Sequence, residues 1–293
     1  MIKRFFKATG LVFLFGLSLG SLYLVNLFLM KPASIDHYLG KEVITGLIDS
    51  PEAMTYMGMF DSFNWLTKHN SKLSIPEHDD LREGINDARK SLRILNRYNE
   101  SSLTNNQKIT KRIAIFDIEN GLKELEEFPY HDYPLNQVRG IHHNIISFMS
   151  DMHPVRNHSE AKDFIKRTDL AKEVYAGVLD GLERQAAASI FAPGFVYAHV
   201  IDQLNEMIDY SYDEHPLYTQ FMKKAELLDI SSEELATLEA KLILSIENSV
   251  TPGFILLRDF MVSTRDKANP NHGIWSQPCL LYTSPSPRDC LLS

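Results

Sequence analysis

Apolar residues recur along most of the chain at intervals of three and four, which is the spacing of one face of an α-helix. Four predicted faces are Leu81, Ile85, Ala88, Leu92 and Leu95; Ile109, Ile113, Phe116, Leu122 and Leu125; Leu170, Val174, Val178 and Leu182; and Val196, Val200, Leu204 and Ile208. A further helix is predicted over residues 251–268, and no stretch alternates convincingly with the period of a strand. The pattern therefore predicts an all-α fold with one large helical body over residues 35–278.

Two of the predicted helices carry recognisable start signals. Ser50 precedes Pro51, which places an N-cap hydroxyl before a proline at the first helical position. Ser231 and Glu234 have the spacing of a capping box before a leucine-rich segment. The breaks between helices fall in short stretches rich in proline and asparagine, and we find no internal repeat and no long linker.

The first 31 residues form a separate region. Lys3, Arg4 and Lys7 precede residues 8–30, which contain no charge. As a helix these residues extend about 34 Å, enough to cross a hydrocarbon core of about 30 Å. Residues 1–31 are therefore predicted to be a cytoplasmic tip with an uncleaved signal anchor, which contacts the membrane through residues 8–30. The basic start predicts a single pass through the bacterial inner membrane, with a cytoplasmic N-terminus and a periplasmic body.

A cleaved signal peptide is the main alternative for this region. Ser18, Leu19 and Gly20 have the small-x-small pattern of a cleavage site, and cleavage would release a secreted body. The residues after Gly20 are still strongly apolar and would make a poor mature terminus. A buried core helix is disfavoured by the length of the apolar stretch and by its basic flank. Both preferred alternatives export the body.

Charge and cysteine content exclude several classes of function. The net charge is −8, and residues 32–278 alone contain 25 basic and 37 acidic residues, so no nucleic-acid partner is indicated. Both cysteines, Cys279 and Cys290, lie in the last 15 residues. The predicted body therefore has no disulfide, no cysteine metal site and no thiol nucleophile.

The histidines do not form a recognisable metal motif, although the chain has 11 of them. No H-E-x-x-H occurs. His142 and His143 are adjacent, and residues about 100° apart on a helix do not chelate from one face. His153 and His158 lie in a predicted loop, where capping and surface roles are commoner than metal binding. His199 is expected to pack within an apolar helix with one hydrogen bond.

The charged residues also favour structural roles. Asp79–Asp80 and Glu126–Glu127 are expected at helix ends in contact with solvent, and Arg139 and Arg156 in surface salt bridges. The glycine-rich phosphate and dinucleotide motifs and the G-x-S-x-G motif do not occur. From the residues alone we therefore assign no catalytic, cofactor-binding or metal-binding residue.

Several short motifs resemble, in the same order, those of the bacterial family called domain of unknown function 885. They are SPEAMTYMG, YPLNQVRG, FMSDMHPVRNHSEAKDFIKR, GLERQAAASIFAPGFV and the stretch from Val250 to Pro278. The resemblance covers about residues 40–278. It implies a parent about twice this length, with a helical architecture similar to that of gluzincin-type metallopeptidases.

The resemblance also implies a zinc site in the missing half of such a parent. Its motif is H-E-x-x-P-G-H-H, in which two histidines would hold zinc and the glutamate would activate water. The chain contains none of these residues, so no family role is carried to any of its positions. The present half would supply one wall of a long cleft, and peptides are the expected substrate class of the parent.

The last 15 residues differ from the rest. The segment from Cys279 to Asp289 matches a translation of a transposon-type sequencing-library adapter, followed by CLLS as index and adapter bases. We therefore expect residues 279–293 to be a disordered artefact, with a flexible Ser/Pro-rich tail as the alternative. The preferred hypothesis is the N-terminal half of an exported, membrane-anchored, zinc-dependent peptidase, inactive as written and without a cofactor of its own. The alternative is a non-catalytic periplasmic helical binding or scaffold protein.

Overall fold

The computed structural model describes residues 2–29, 31–77, 79–130 and 132–270. Cys279, Cys290 and the predicted foreign segment 279–293 lie outside the described residues. The described residues are mostly helical and contain one isolated β-bridge, between Pro193 and Asn269, and no strand. The all-α prediction is therefore confirmed.

The α-helices range in length from one turn to more than seven turns. They are α1 Ile2–Leu29, α2 Ile35–Ile48, α3 Pro51–Met57, α4 Asn64–Thr67, α5 Asp80–Asn96, α6 Asn105–Glu127, α7 Ile141–Ser147, α8 His158–Asp169, α9 Ala171–Ala187, α10 Gly194–Asp209, α11 Pro216–Ala225, α12 Ser232–Ser245 and α13 Thr251–Thr264. Short 3₁₀ turns occupy Asp61–Phe63, His69–Ser71, Glu100–Ser102 and Arg265–Lys267, and π turns occupy Phe148–Met152 and Ile246–Val250. The predicted caps are confirmed, because the Ser50 side chain accepts from Ala53 N–H and the capping box at Ser231 and Glu234 is complete.

The chain divides into two compact units, and each takes two stretches of sequence. Unit 1 comprises Met1–Asp49 and Arg82–Glu126, and unit 2 comprises Ser50–Leu81 and Glu127–Ser293. The sequence pattern indicated one helical body over residues 35–278. The division has a local cause, because α5 and α6 bury their apolar side chains against the start of α2.

In unit 1 a small core holds α2 to α5. Ile35 and Tyr38 of α2 pack with Leu95 and Tyr98, and all four are buried. The Tyr98 hydroxyl donates to the main-chain oxygen of Pro32 at 2.7 Å, and Lys111 donates to the main-chain oxygen of Tyr98 at 2.8 Å. Burial raises the pKa of Tyr98 to about 12. These contacts fix the orientation of α2.

The face predicted for α6 in unit 1 is wrong in its first half, whereas Leu122 and Leu125 in its second half are partly buried. Ile109, Ile113 and Phe116 of α6 are exposed, at 57%, 56% and 65%. The helix instead turns Ile115 and Ile118 toward the core. Apolar residues lie on two sides of α6, so periodicity alone does not identify the buried side.

Unit 2 contains the main core, in which α9, α10 and α13 pack together. The predicted faces of α9 and α10 are confirmed, since Val174, Val178, Val200 and Leu204 are buried. Gly253 permits close approach of α13 to α9, because a Cβ at this position would lie 2.2 Å from Tyr175 Cδ2.

The two C-terminal helices form one continuous helix. α12 passes through the π turn Ile246–Val250 into α13, which gives a helical stretch from Ser232 to Lys267. Pro252 has no N–H to continue an α-helical ladder, and a π turn is a known way to accommodate such a local change. By length and apolar composition this stretch would be long enough to cross a membrane. Its buried residues, such as Leu242 and Phe254, belong to the core, which accounts for its apolar composition.

Candidate functional site

Buried polar side chains are concentrated in unit 2 where α3, the loop after it and α8 meet. The shared feature of the group is that each side chain is at most 9% exposed. Its members are Thr55, His69, Asn70, His153, Glu160, Asp163 and Arg167. Burial of so many polar groups is costly unless they are paired, so their contacts determine what the site can do.

Arg167 lies at the centre of this group and is completely buried. Its Nε donates to the main-chain oxygen of Lys72 at 2.7 Å, and its Nη2 donates to Thr55 Oγ1 at 3.0 Å and to the main-chain oxygen of His69. Its Nη1 donates to His153 Nδ1 at 3.0 Å. These partners are neutral groups, and burial lowers the pKa of Arg167 to about 10.

His153 is held as a neutral imidazole by its two partners. Arginine only donates, so Nδ1 of His153 must accept, and the ring proton is on Nε2. Nε2 then donates to the main-chain oxygen of Glu160 at 3.3 Å. Burial, reinforced by the charge of Arg167, lowers the pKa of His153 to about 3. The expectation of a surface or capping role for His153 is wrong, because the residue is 1% exposed and both ring nitrogens are engaged inside the protein.

A second set of contacts joins the loop to α8 at the rim of the buried group. Arg156 donates from Nη2 to Asp61 Oδ2 and to Glu160 Oε1, each at 2.7 Å. Asn64 donates to Asp163 Oδ2 at 2.9 Å. Hydrogen bonds to the two carboxylates raise the pKa of Arg156, so this side chain is a permanent cation at the rim. Its predicted participation in salt bridges is confirmed.

The loop held by these contacts presents apolar side chains outward. We call residues Tyr56–Leu66 the aromatic segment. Its exposed large side chains are Tyr56, Met57, Met59, Phe63, Trp65 and Leu66, with exposed fractions from 53% to 74%. Gly58 adopts a left-handed backbone with φ of 63°, which ends α3 and starts the loop. Exposed aromatic and methionine side chains in one place are typical of contact surfaces.

The remaining histidines are scattered. His142 is buried with Nε2 3.1 Å from Gln203 Oε1, whereas its neighbour His143 is exposed, as the helical geometry predicted. His199 is exposed, so its predicted packing in an apolar helix is wrong. His158 begins α8 and lies 4.0 Å from Glu234.

Two buried histidines were not singled out from the sequence. His215 caps α11 by accepting from Leu217 N–H at 3.2 Å, and burial lowers its pKa to about 4. His69 Nδ1 lies 2.7 Å from Thr67 Oγ1, and burial lowers its pKa against the opposing effect of Asp61. The position of His215 directly before Pro216 at a helix start is the sequence signal that could have revealed this cap.

The charged pairs considered from the sequence lie where expected. Asp80 begins α5, and Glu127 ends α6. Glu126 accepts from Arg89 at 2.7 Å. The Arg139 side chain is exposed, and its participation in a surface salt bridge stays a prediction. Among the described residues, no group of three or more His, Cys, Asp or Glu is placed to hold a metal ion.

Helix α1 also carries an exposed apolar surface. The part of α1 over Leu14–Leu27 is apolar. Leu14, Phe15, Leu22 and Leu24 are between 52% and 66% exposed, and all belong to the predicted membrane segment 8–30.

Comparisons with known proteins address the fold and the family. The family model described as "Bacterial protein of unknown function (DUF885)" matches residues 51–284. The match begins after the predicted start near residue 40 and extends into the segment 279–293, whose foreign origin stays a prediction. No curated protein matches the chain.

A solved structure has the same fold. It is described as "the putative lipoprotein from Colwellia psychrerythraea", and it superposes with a TM-score of 0.66 at 17% sequence identity. The match covers 79% of this chain and 42% of the other, so the present chain spans less than half the length of that protein. Because the family model matches well over half of the sequence, the chain belongs to the DUF885 family of bacterial proteins of unknown function.

Proposed function

We propose that this chain is the anchoring and supporting N-terminal half of an exported, membrane-bound, zinc-dependent peptidase, and that it is inactive by itself. The observation that supports the inactivity of this half is the closed polar group around Arg167. Its guanidinium is fully buried and bonds to main-chain oxygens, a hydroxyl and a neutral imidazole. Such an arrangement holds a loop in place and leaves no room for a substrate at the charge.

The length of the similar structure supports a parent larger than this chain. That protein shares the fold of 79% of this chain but is more than twice as long as the matched region. A peptidase activity of the parent would therefore use residues outside this chain. Peptides are the proposed substrate class and zinc the proposed cofactor of that longer protein.

Helix α1 supports membrane attachment. Its exposed leucines and phenylalanine would be costly in water, at about 25 cal/mol for each Å² of apolar surface, and favourable in lipid. Lys3, Arg4 and Lys7 precede the apolar stretch, which favours a cytoplasmic N-terminus and a periplasmic body.

Reporter fusions test the anchor. A reporter that needs export, fused after residue 60, should be active, and the chain should remain with the membrane after washing at high pH. A reporter active only in the cytoplasm would contradict the orientation. Release of a shortened chain into the periplasm would show that the signal is cleaved after Gly20.

Zinc content and peptide cleavage test the enzymatic part. The chain should show neither tight one-to-one zinc binding nor chelator-sensitive cleavage of a mixed peptide pool. Extending the reading frame beyond residue 278 in genomic DNA should add an H-E-x-x-P-G-H-H motif and activity, and changing the motif glutamate to glutamine should abolish the activity. Zinc-dependent cleavage by the present chain would place the catalytic site within it and overturn the proposal.

The second candidate is a non-catalytic helical binding protein, and the aromatic segment favours it. Trp65 and Phe63 are 74% and 53% exposed. They lie on a loop that polar contacts hold against α8. Aromatic side chains are effective contact residues because they supply a large contact area at a low cost in conformational entropy. A stop codon directly after the codon for Pro278 in genomic DNA would support this candidate over the peptidase.

A further inference from the structure

Helix α2 has two apolar sides, and the core of unit 1 uses only one. Ile35 and Tyr38 are each 1% exposed and pack into that core. On the opposite side Val43, Ile44 and Ile48 are 69%, 44% and 51% exposed. At about 100° per residue these three positions lie within one arc of the helix. The C-terminal half of α2 therefore presents an apolar surface that the described protein leaves uncovered.

Ile44 and Ile48 of this surface line one wall of a groove, together with Asp36 and Lys41 of α2, and α1 forms the other wall. The groove has a volume of about 400 Å³, and Tyr23 and Leu27 of α1 face Ile44 and Ile48 of α2 across it. At the end where the helices meet, the Tyr23 ring contacts the His37 ring edge-on, with centroids 5.5 Å apart. The groove is thus continuous with the exposed apolar surface of α1.

The contacts at the end of α1 give the depth of the groove relative to a membrane. Asn26 donates from Nδ2 to the main-chain oxygen of Lys31 at 3.3 Å and accepts from Ala33 N–H at 3.1 Å. This polar turn is typical of the boundary where a chain leaves the hydrocarbon region. Tyr23 lies about one helical turn before Asn26, the level at which tyrosine is favoured in membrane proteins. With α1 in the inner membrane, the groove begins at the membrane–water interface on the periplasmic side.

We propose that phospholipid of the outer leaflet fills this groove and that α2 lies in the interface, with Val43, Ile44 and Ile48 directed toward the acyl chains. The inference rests on the proposed membrane anchor, since only an α1 in the bilayer places lipid beside Tyr23 and Leu27. An interfacial helix buries its apolar face at the boundary of headgroups and acyl chains and keeps its other side out of the lipid. The division of α2 into a core side and an uncovered apolar side has this form.

Spin labels on the full chain test the proposal. Cys279 and Cys290 are replaced by serine, single cysteines are introduced, and the labelled protein is placed in vesicles of phosphatidylethanolamine and phosphatidylglycerol. The test positions are Ile44 and Ile48. Leu22 on α1 reports on the anchor, and Glu119, an exposed residue of α6, is the control for water. Oxygen, which concentrates in lipid, and a nickel chelate, which stays in water, are then compared as relaxing agents.

Labels at Ile44, Ile48 and Leu22 should be relaxed several-fold more by oxygen than by nickel, and the label at Glu119 should show the reverse. If oxygen relaxes the label at Leu22 more strongly while nickel relaxes the labels at Ile44 and Ile48 more strongly, the anchor is supported and the interfacial role of α2 is wrong. If nickel relaxes the label at Leu22 more strongly than oxygen does, the proposed membrane anchor is wrong. Spin–spin broadening at Ile48 would show that a second copy fills the groove, and shielding from both agents would show a protein cover. Either result would overturn the lipid assignment.

Discussion

Replacing Arg167 with methionine is expected to destabilise the protein by about 3 kcal/mol. Methionine retains much of the buried stem but none of the donors. The main-chain oxygens of Lys72 and His69 and Nδ1 of His153 each lose a hydrogen bond inside the protein. A buried acceptor left without its partner costs about 1–3 kcal/mol, so three of them cost about 6 kcal/mol.

Removal of the charge offsets part of this cost. Burial lowers the pKa of Arg167 from 12.5 to about 10. At about 1.4 kcal/mol per tenfold change in the ionisation constant, keeping the side chain charged in the folded state costs about 3 kcal/mol, which methionine recovers. The difference between the two terms is the expected loss of about 3 kcal/mol.

Urea unfolding of the full chain in mild detergent, followed by far-ultraviolet circular dichroism, measures the effect. The matched control is Arg258→Met, because Arg258 pairs with its neighbour Asp259 and is partly exposed. The control should change the free energy of unfolding by about 0.5 kcal/mol or less. Equal effects of the two substitutions would refute the role assigned to the Arg167 hydrogen bonds.

A lysine at position 167 separates charge from geometry. Lysine keeps the positive charge and its desolvation cost, but its single ammonium group cannot reach acceptors on three sides as the guanidinium fork does. Arg167→Lys should therefore be at least as destabilising as Arg167→Met. Full stability of the lysine variant would show that the charge, and not the fork, is what the site requires.

Two further predictions concern a buried histidine and the glycines. His215→Asn should keep the cap on Leu217 and reduce the loss of stability in acid. The imidazole of the unfolded chain protonates below about pH 6.5 and that of the folded chain only near pH 4, so the wild type should lose up to about 3 kcal/mol over that range. Parallel pH profiles of the two proteins in urea unfolding would contradict this prediction. Gly253→Ala should lower the melting temperature because the added Cβ would overlap Tyr175. Gly121→Ala in α6, where no atom lies within 4 Å of the added Cβ, should raise stability by about 0.5–1 kcal/mol. The opposite order would contradict the close packing at Gly253.

The sequence predicted helices well because their signals are local. These signals depend on residues a few positions apart in the chain. They include the caps at Ser50 and Ser231 and the apolar faces of α9 and α10, and all of them are confirmed. The buried side of α6 could not be predicted in this way. Ile113 and Ile115 lie on different sides of that helix, and the partner that covers one of them comes from a distant part of the chain.

The polar site was missed for a related reason. Glu160, Asp163 and Arg167 are spaced by three and four residues along α8, and such a charged stripe normally indicates a helix side in contact with water. In the structure all three are buried, because the loop after α3 covers this side while the core covers the other. A helix covered on both sides gives no periodic signal that distinguishes its polar face from a solvated one.

The covering loop explains why the site is polar. The aromatic segment directs its large apolar side chains to solvent, so burial of those side chains cannot hold it against α8. The attachment of this segment and of the residues that follow it therefore depends on specific hydrogen bonds. Asn64 donates to Asp163, Arg156 donates to Asp61, and Arg167 donates to the main-chain oxygen of His69. A buried guanidinium is costly, but it joins α3, the loop and the residue after the π turn with one side chain. The segment should consequently open locally before the core unfolds, and Arg167→Met should accelerate hydrogen exchange in residues 58–72 more than in α9 or α10. Uniform acceleration across unit 2 would instead show that Arg167 supports the core as a whole.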